Sequence, residues 1–230
     1  TVSASTIDIA SGTVNFNGDV DANIAVKGGT VNIANGVDIT GAIDNTKASN
    51  TGYITFAGSS VVSEAIGGTY AFNTITTTAN STASLQGGVN AQTLVFNGDV
   101  LFGSNTTITN GINFGANSGG LTLDSSAGDA TLTALVTTST NNKGALTIQG
   151  GNTFTAINQI GSSGKVLSSV TVADSSNASF SSAVYATDLT VGDGSATFGG
   201  NVFGDITLHS GLVTISDGVD VAGNINNGDG

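Results

Sequence analysis

Gly12–Asn45 reads GTVNFNGDVDANIAVKGGTVNIANGVDITGAIDN, and Gly194–Asn227 reads GSATFGGNVFGDITLHSGLVTISDGVDVAGNINN. The two align without a gap at a constant offset of 182 residues. Phe16 meets Phe198, Gly18 meets Gly200, Val20 meets Val202, Ile24 meets Ile206, and Gly-Val-Asp at 36–38 recurs at 218–220. Phe96–Val100 repeats Phe16–Val20 letter for letter. A shorter period lies inside the long one. Gly-Thr-Val-Asn-Phe at 12–16 returns as Gly-Thr-Val-Asn-Ile at 29–33, and Ala-Ser-Phe at 178–180 returns as Ala-Thr-Phe at 196–198. A period in the high teens to low twenties is that of one solenoid coil. Segments such as Asp44–Gly52 (DNTKASNTG) lengthen single coils.

The strand unit is three residues long, apolar-polar-apolar, which sends its flanking side chains to one face and the central one to the other. Val14-Asn-Phe16, Ile54-Thr-Phe56, Leu121-Thr-Leu123, Val170-Thr-Val172, Ile206-Thr-Leu208 and Val219-Asp-Val221 show it. Gly, Asn, Asp or Ser closes each unit, and no stretch carries a capped helical period. An antiparallel sandwich would also use short strands, but the repeat favours coils stacked in parallel. Stacking sets each apolar position over its equivalent at about 4.8 Å, making internal ladders. Outward positions stack just as closely, so like charges there would repel, and Thr and Asn are used instead. The expectation is one all-β domain over residues 1–230, a right-handed parallel β-helix of about eleven coils and some 50 Å in length.

Charge narrows the partners. Lys27, Lys47, Lys143 and Lys165 stand against 16 carboxylates, with no Arg, for a net charge of −12. Nucleic acid is excluded as a partner, because phosphate binding needs clustered cations. No apolar run of about 18 residues occurs, so this segment does not insert directly in a membrane as a helix. The regular Val, Ile, Leu and Phe content argues against disorder. Lacking an initial Met and a leader, residues 1–230 read as an internal fragment of a longer protein.

Catalytic material is thin. His209 is the sole histidine and Glu64 the sole glutamate. The first reads as a solvated turn residue, the second as an outward strand residue. Asp19 with Asp21, and Asp217 with Asp220, would offer calcium several oxygens. Neither pair belongs to a complete calcium loop, and hydrogen bonding to a nearby turn amide explains them too. Gly192-Asp-Gly194 and Gly199-Gly200 lack the helix and Lys of a phosphate loop and read as turns. Asn80, Asn105 and Asn177 begin glycosylation patterns, which a chain this rich in Ser and Thr produces by chance. Asn17-Gly18, Asn35-Gly36, Asn97-Gly98 and Asn110-Gly111 are turn dipeptides. No catalytic, cofactor-binding or metal residue is therefore assigned, no cofactor is expected, and the chain is read as a non-enzyme. The outward row of Thr and Asn is the one surface feature with binding potential, with plain β-propensity as its alternative explanation.

The repeats at 12–16, 29–33 and 35–45, with the absence of Cys, resemble the passenger domains of type V autotransporters. They are most similar to the rickettsial outer membrane protein A and B type surface antigens. The resemblance covers nearly the whole chain in texture, through short repetitive motifs. It implies a passenger displayed extracellularly at the bacterial surface and attached through a C-terminal outer-membrane barrel that lies outside these residues. There it would serve adhesion to and invasion of host cells through an unidentified cell-surface protein receptor. A structural surface layer built by self-association is the second function implied. A polysaccharide-active β-helix enzyme would need carboxylates and cations in one groove, which four scattered Lys do not supply. An ice-binding solenoid would need a strict Thr-x-Thr array at even spacing.

Overall fold

A computed structural model describes residues 1–103, 111–116 and 118–228. All regular structure among them is β, and the strands pair in parallel. The chain winds around three faces, and every face is a ladder. The first runs through Val14, Val31, Ile54, Ile75, Leu94, Ile112, Val136, Ile160, Val184, Val202 and Val221. The second starts at Val2, Val20 and Ile39 and ends at Val191, Leu208 and Asn227. The third holds Ile7, Ile24 and Ile43 early, then Leu132, Ala156, Phe180, Phe198 and Ile215 late. Counted along the first two ladders, the fold is a β-solenoid of about eleven turns, as the repeat requires. Parallel connections of this kind wind right-handed in nearly all proteins.

The three-residue units behave as the period-two rule demands. In Val20–Val26 the residues alternate buried and outward throughout, and Val31, Ile33, Ile54 and Phe56 have no exposed surface. Val219-Asp-Val221 is the exception: the strand there is Val221–Ala222 alone. Nine of the ten phenylalanines face inward, and two of them, Phe180 and Phe198, stack along the axis with rings 5.1 Å apart and nearly coplanar at 8°. Asn45 is a polar member of this interior. It is fully buried, and its Nδ2 donates to the carbonyls of Ala48, Thr51 and Ala71, holding the lengthened loop 46–50 onto the core.

Coil length varies, and that changes what the long repeat means. One step of the first ladder, Val14 to Val31, takes 17 residues, while Leu123 to Ile148 on the second takes 25. The first ladder has taken eight steps when it reaches Val184; Phe198 lies two faces further on, not on the first face. The 182-residue repeat is therefore eight turns and two faces. Val14–Phe16 sits on the first face and its sequence counterpart Ala196–Phe198 on the third, so the copies are displayed one face apart. Within each copy the local stacking is the same: Phe16 pairs with Ile33 as Phe198 pairs with Ile215.

Candidate functional site

With the apolar positions turned inward, the outward rungs form the candidate interaction surface. On the second face Thr122, Thr147, Thr171, Thr190 and Thr207 pair in unbroken succession. On the third, Thr131, Thr155, Ser179, Thr197 and Thr214 do the same. Both hydroxyl ladders occupy the C-terminal half. The first face carries its own uncharged row from Asn15 to Thr137, where Asn32 Nδ2 donates to Asn15 Oδ1 at 2.8 Å and Asn113 Nδ2 to Thr137 Oγ1 at 3.0 Å. Hydroxyls and methyls repeated about every 4.8 Å along the axis can meet another such ladder through uncharged groups.

The carboxylates serve the corners. Asp38 Oδ1 accepts the Val61 N–H at 3.0 Å, Asp44 that of Thr69 at 2.7 Å, Asp99 that of Gly120 at 2.9 Å, and Asp129 that of Thr153 at 2.9 Å. Asn23, Asn35 and Asn141 accept from Ala42, Ser59 and Val166 in the same way. Each acceptor belongs to one coil and each donor to the next, so these side chains pin successive turns where ladder hydrogen bonds run out. In these pairs the bonded amide lies about one coil away in the sequence. Asp124 shows the electrostatic result. Partial burial pushes its carboxyl up, but hydrogen bonds from the Ser126 backbone, the Ser126 side chain and Gln149 outweigh this and hold it below the usual carboxylate value.

The sequence candidates lie apart from one another. Asp19 Oδ1 accepts the Asp38 N–H at 3.1 Å and Asp21 Oδ1 the Thr40 hydroxyl at 2.9 Å, so both act in coil-to-coil bonds. Asp217 and Asp220 are exposed on the last turn, and the Asp220 N–H donates to Asn201 Oδ1. Glu64 is exposed in a bend between Val62 and Ile66, not on a strand as expected. His209 occupies a bend but is half-buried rather than solvated, with its backbone N–H on Val191 O at 2.8 Å. Gly192–Gly194 and Gly199–Gly200 lie in bends and strand ends. Asn80 is exposed in a turn, whereas Asn177 lies in the strand Asn177–Phe180 and accepts the Ser195 hydroxyl. Asn17, Asn35 and Asn97 stand at turns or bends with Gly18, Gly36 and Gly98. Asn105 and Asn110 lie outside the described residues, and Gly111 opens a strand, Gly111–Phe114. The four Lys are dispersed, and the one ion pair among the described residues is Lys27 with Asp8 at 3.3 Å, exposed on both sides.

Surface hollows do not gather acids and bases. One of about 440 Å³ lies at the C-terminal turn between Leu208, Gly211 and Ile225 and has no titratable side chain in its lining. Another of about 360 Å³ contains Asp99, already engaged with Gly120. Among the described residues no three His, Asp or Glu side chains form a metal-holding group. No known protein family, curated protein or solved structure matches the chain.

Proposed function

We propose that this chain is a passenger segment of a bacterial cell-surface autotransporter, acting in adhesion to and invasion of host cells through a host surface protein. The observation that carries the reading is the combination of a β-solenoid of about eleven turns with lateral ladders of uncharged side chains. The resemblance of its repeats to type V passengers supplies the cellular setting: extracellular display, with anchorage through an outer-membrane barrel. A solenoid suits export through a narrow pore. Each coil contacts only its neighbours, so burial accumulates as coils emerge, and no disulfide delays their passage. The role is one of binding without catalysis.

The hydroxyl ladders favour one second reading. Two faces that each carry a ladder of uncharged hydroxyls also suit self-association into a surface layer. Purified chain applied to host cells separates the two. Saturable cell binding, reversed by unlabelled chain, supports adhesion. Concentration-dependent sheets without cell binding support the layer, and neither result would sink both.

A further inference from the structure

Of the ten phenylalanines only Phe203 faces outward, and its ring stacks on that of Tyr185 at 4.4 Å and 3°. Val184 and Val202, beside them in their strands, are fully buried. Two carboxylates stand immediately round the corner. Asp188 pairs in register with Asp205 across the same two strands, after a bulge between Tyr185 and Asp188. Asp205 Oδ1 accepts from the Asn224 backbone and side chain at 2.8 and 3.2 Å. Neither carboxylate has a cation within salt-bridge range. Two like charges directly opposite each other on parallel strands cost stability, and a half-buried ring pair stacked on the outer face lies outside the core.

The other copy of the repeat shows that the fold does not require this arrangement. At the same offset, Ser3 and Asp21 stand where Tyr185 and Phe203 do, and Thr6 and Asn23 stand where Asp188 and Asp205 do. Those four residues pair in the same register, with the same bulge between Ser3 and Thr6. Asn23 Oδ1 even receives the Ala42 N–H as Asp205 receives that of Asn224. One backbone geometry therefore accepts a small polar set in one copy and an aromatic and acidic set in the other.

We infer that Tyr185, Phe203, Asp188 and Asp205 form a docking site for a cationic side chain, arginine or lysine, presented by a partner polypeptide. Ring faces attract a cation through their quadrupole, and two unneutralised carboxylates beside them offer charge-assisted hydrogen bonds. The next residues along the axis are small, Gly161 beside Tyr185 and Ala222 paired with Phe203. The net charge of −12 draws cationic groups toward the rod from a distance. The site is independent of the adhesive reading, which stands or falls on cell binding.

The test is a nuclear magnetic resonance titration of the whole chain with N-acetyl-arginine amide, with the citrulline analogue as its uncharged counterpart. The expected result is a saturable shift of amides at 184–188 and 202–206, absent with citrulline. The double variant Tyr185→Ser/Phe203→Ser, which removes both rings without adding a charge, should weaken binding about tenfold, as should Asp188→Asn/Asp205→Asn. The charge-matched control Asp217→Asn/Asp220→Asn should leave it unchanged. Equal shifts at every carboxylate, equal weakening by the control, or stronger binding of neutral N-acetylglucosamine would overturn the inference.

Discussion

Phe180→Ala isolates what one rung contributes. Phe180 is 1% exposed, with Ala156 paired on one side and Phe198 on the other. Removing a buried phenylalanine costs about 3–5 kcal/mol, depending on how far the site collapses. Ala156 is too small to fill the space and Phe198 is held in its own rung, so a value near the upper end, about 4–5 kcal/mol, is expected. Phe198→Ala should cost less, about 3 kcal/mol, because half-buried Ile215 beyond it can settle inward. The double variant should fall short of additivity by about 0.5–1.5 kcal/mol, the worth of the stacked pair beyond its burial. Since coils contact only their neighbours, the damage should also be local. Amide hydrogen exchange, read by mass spectrometry, should accelerate from Leu167 to Ile215 and stay unchanged from Val14 to Ile75. A loss below about 1 kcal/mol, or exchange rising evenly along the chain, would refute the nearest-neighbour account.

Gly204 has φ +148°, and a Cβ there would fall 1.8 Å from the Ala186 carbonyl oxygen, whereas Gly151 opens onto free space. Thermal denaturation should show Gly204→Ala losing more than about 2 kcal/mol and Gly151→Ala changing by less than about 0.5 kcal/mol. Asp38→Ala removes the acceptor for the Val61 N–H and should cost about 1 kcal/mol in urea unfolding, while Asp38→Asn retains it. Asp124 is held below its ordinary value of 3.8, so its contribution is fully present above that value and is lost as pH falls through the lower, folded one. Acid titration of stability should therefore flatten below pH 4 in Asp124→Asn relative to the parent.

The in-out pattern was legible because a strand's period of two is rigid: Val14-Asn-Phe16 and Leu146-Thr-Ile148 need no tertiary information to be oriented. The rotation of the second copy was not legible. Equal offsets report equal local stacking, while phase around the axis depends on every intervening coil length, including the segment Asp44–Gly52. Aspartate function was half legible. The turn positions were evident, but an acceptor such as Asp38 bonds an amide 23 residues away, which only the stacked coils bring near. The burial of Asn45 was not legible, because nothing local marks a polar side chain as inward. The aromatic corner did leave a signal that the sequence reading passed over. Phe203 aligns with Asp21, an outward polar position in a repeat whose inward positions stay apolar, which already placed that ring on the surface.

The central claim, one continuous first face with about 4.8 Å per rung, is open to direct measurement because the chain has no native Cys to interfere with labelling. Paired spin labels at Asn15 and Thr76, three rungs apart, and at Asn15 and Thr137, six rungs apart, should give backbone separations of about 14 and 29 Å. A label at Thr197, the sequence counterpart of Asn15, should report a position off that line, on another face. Separations that fail to grow in proportion to rung number, or a Thr197 label in line with Asn15, would contradict the solenoid and its rotated repeat.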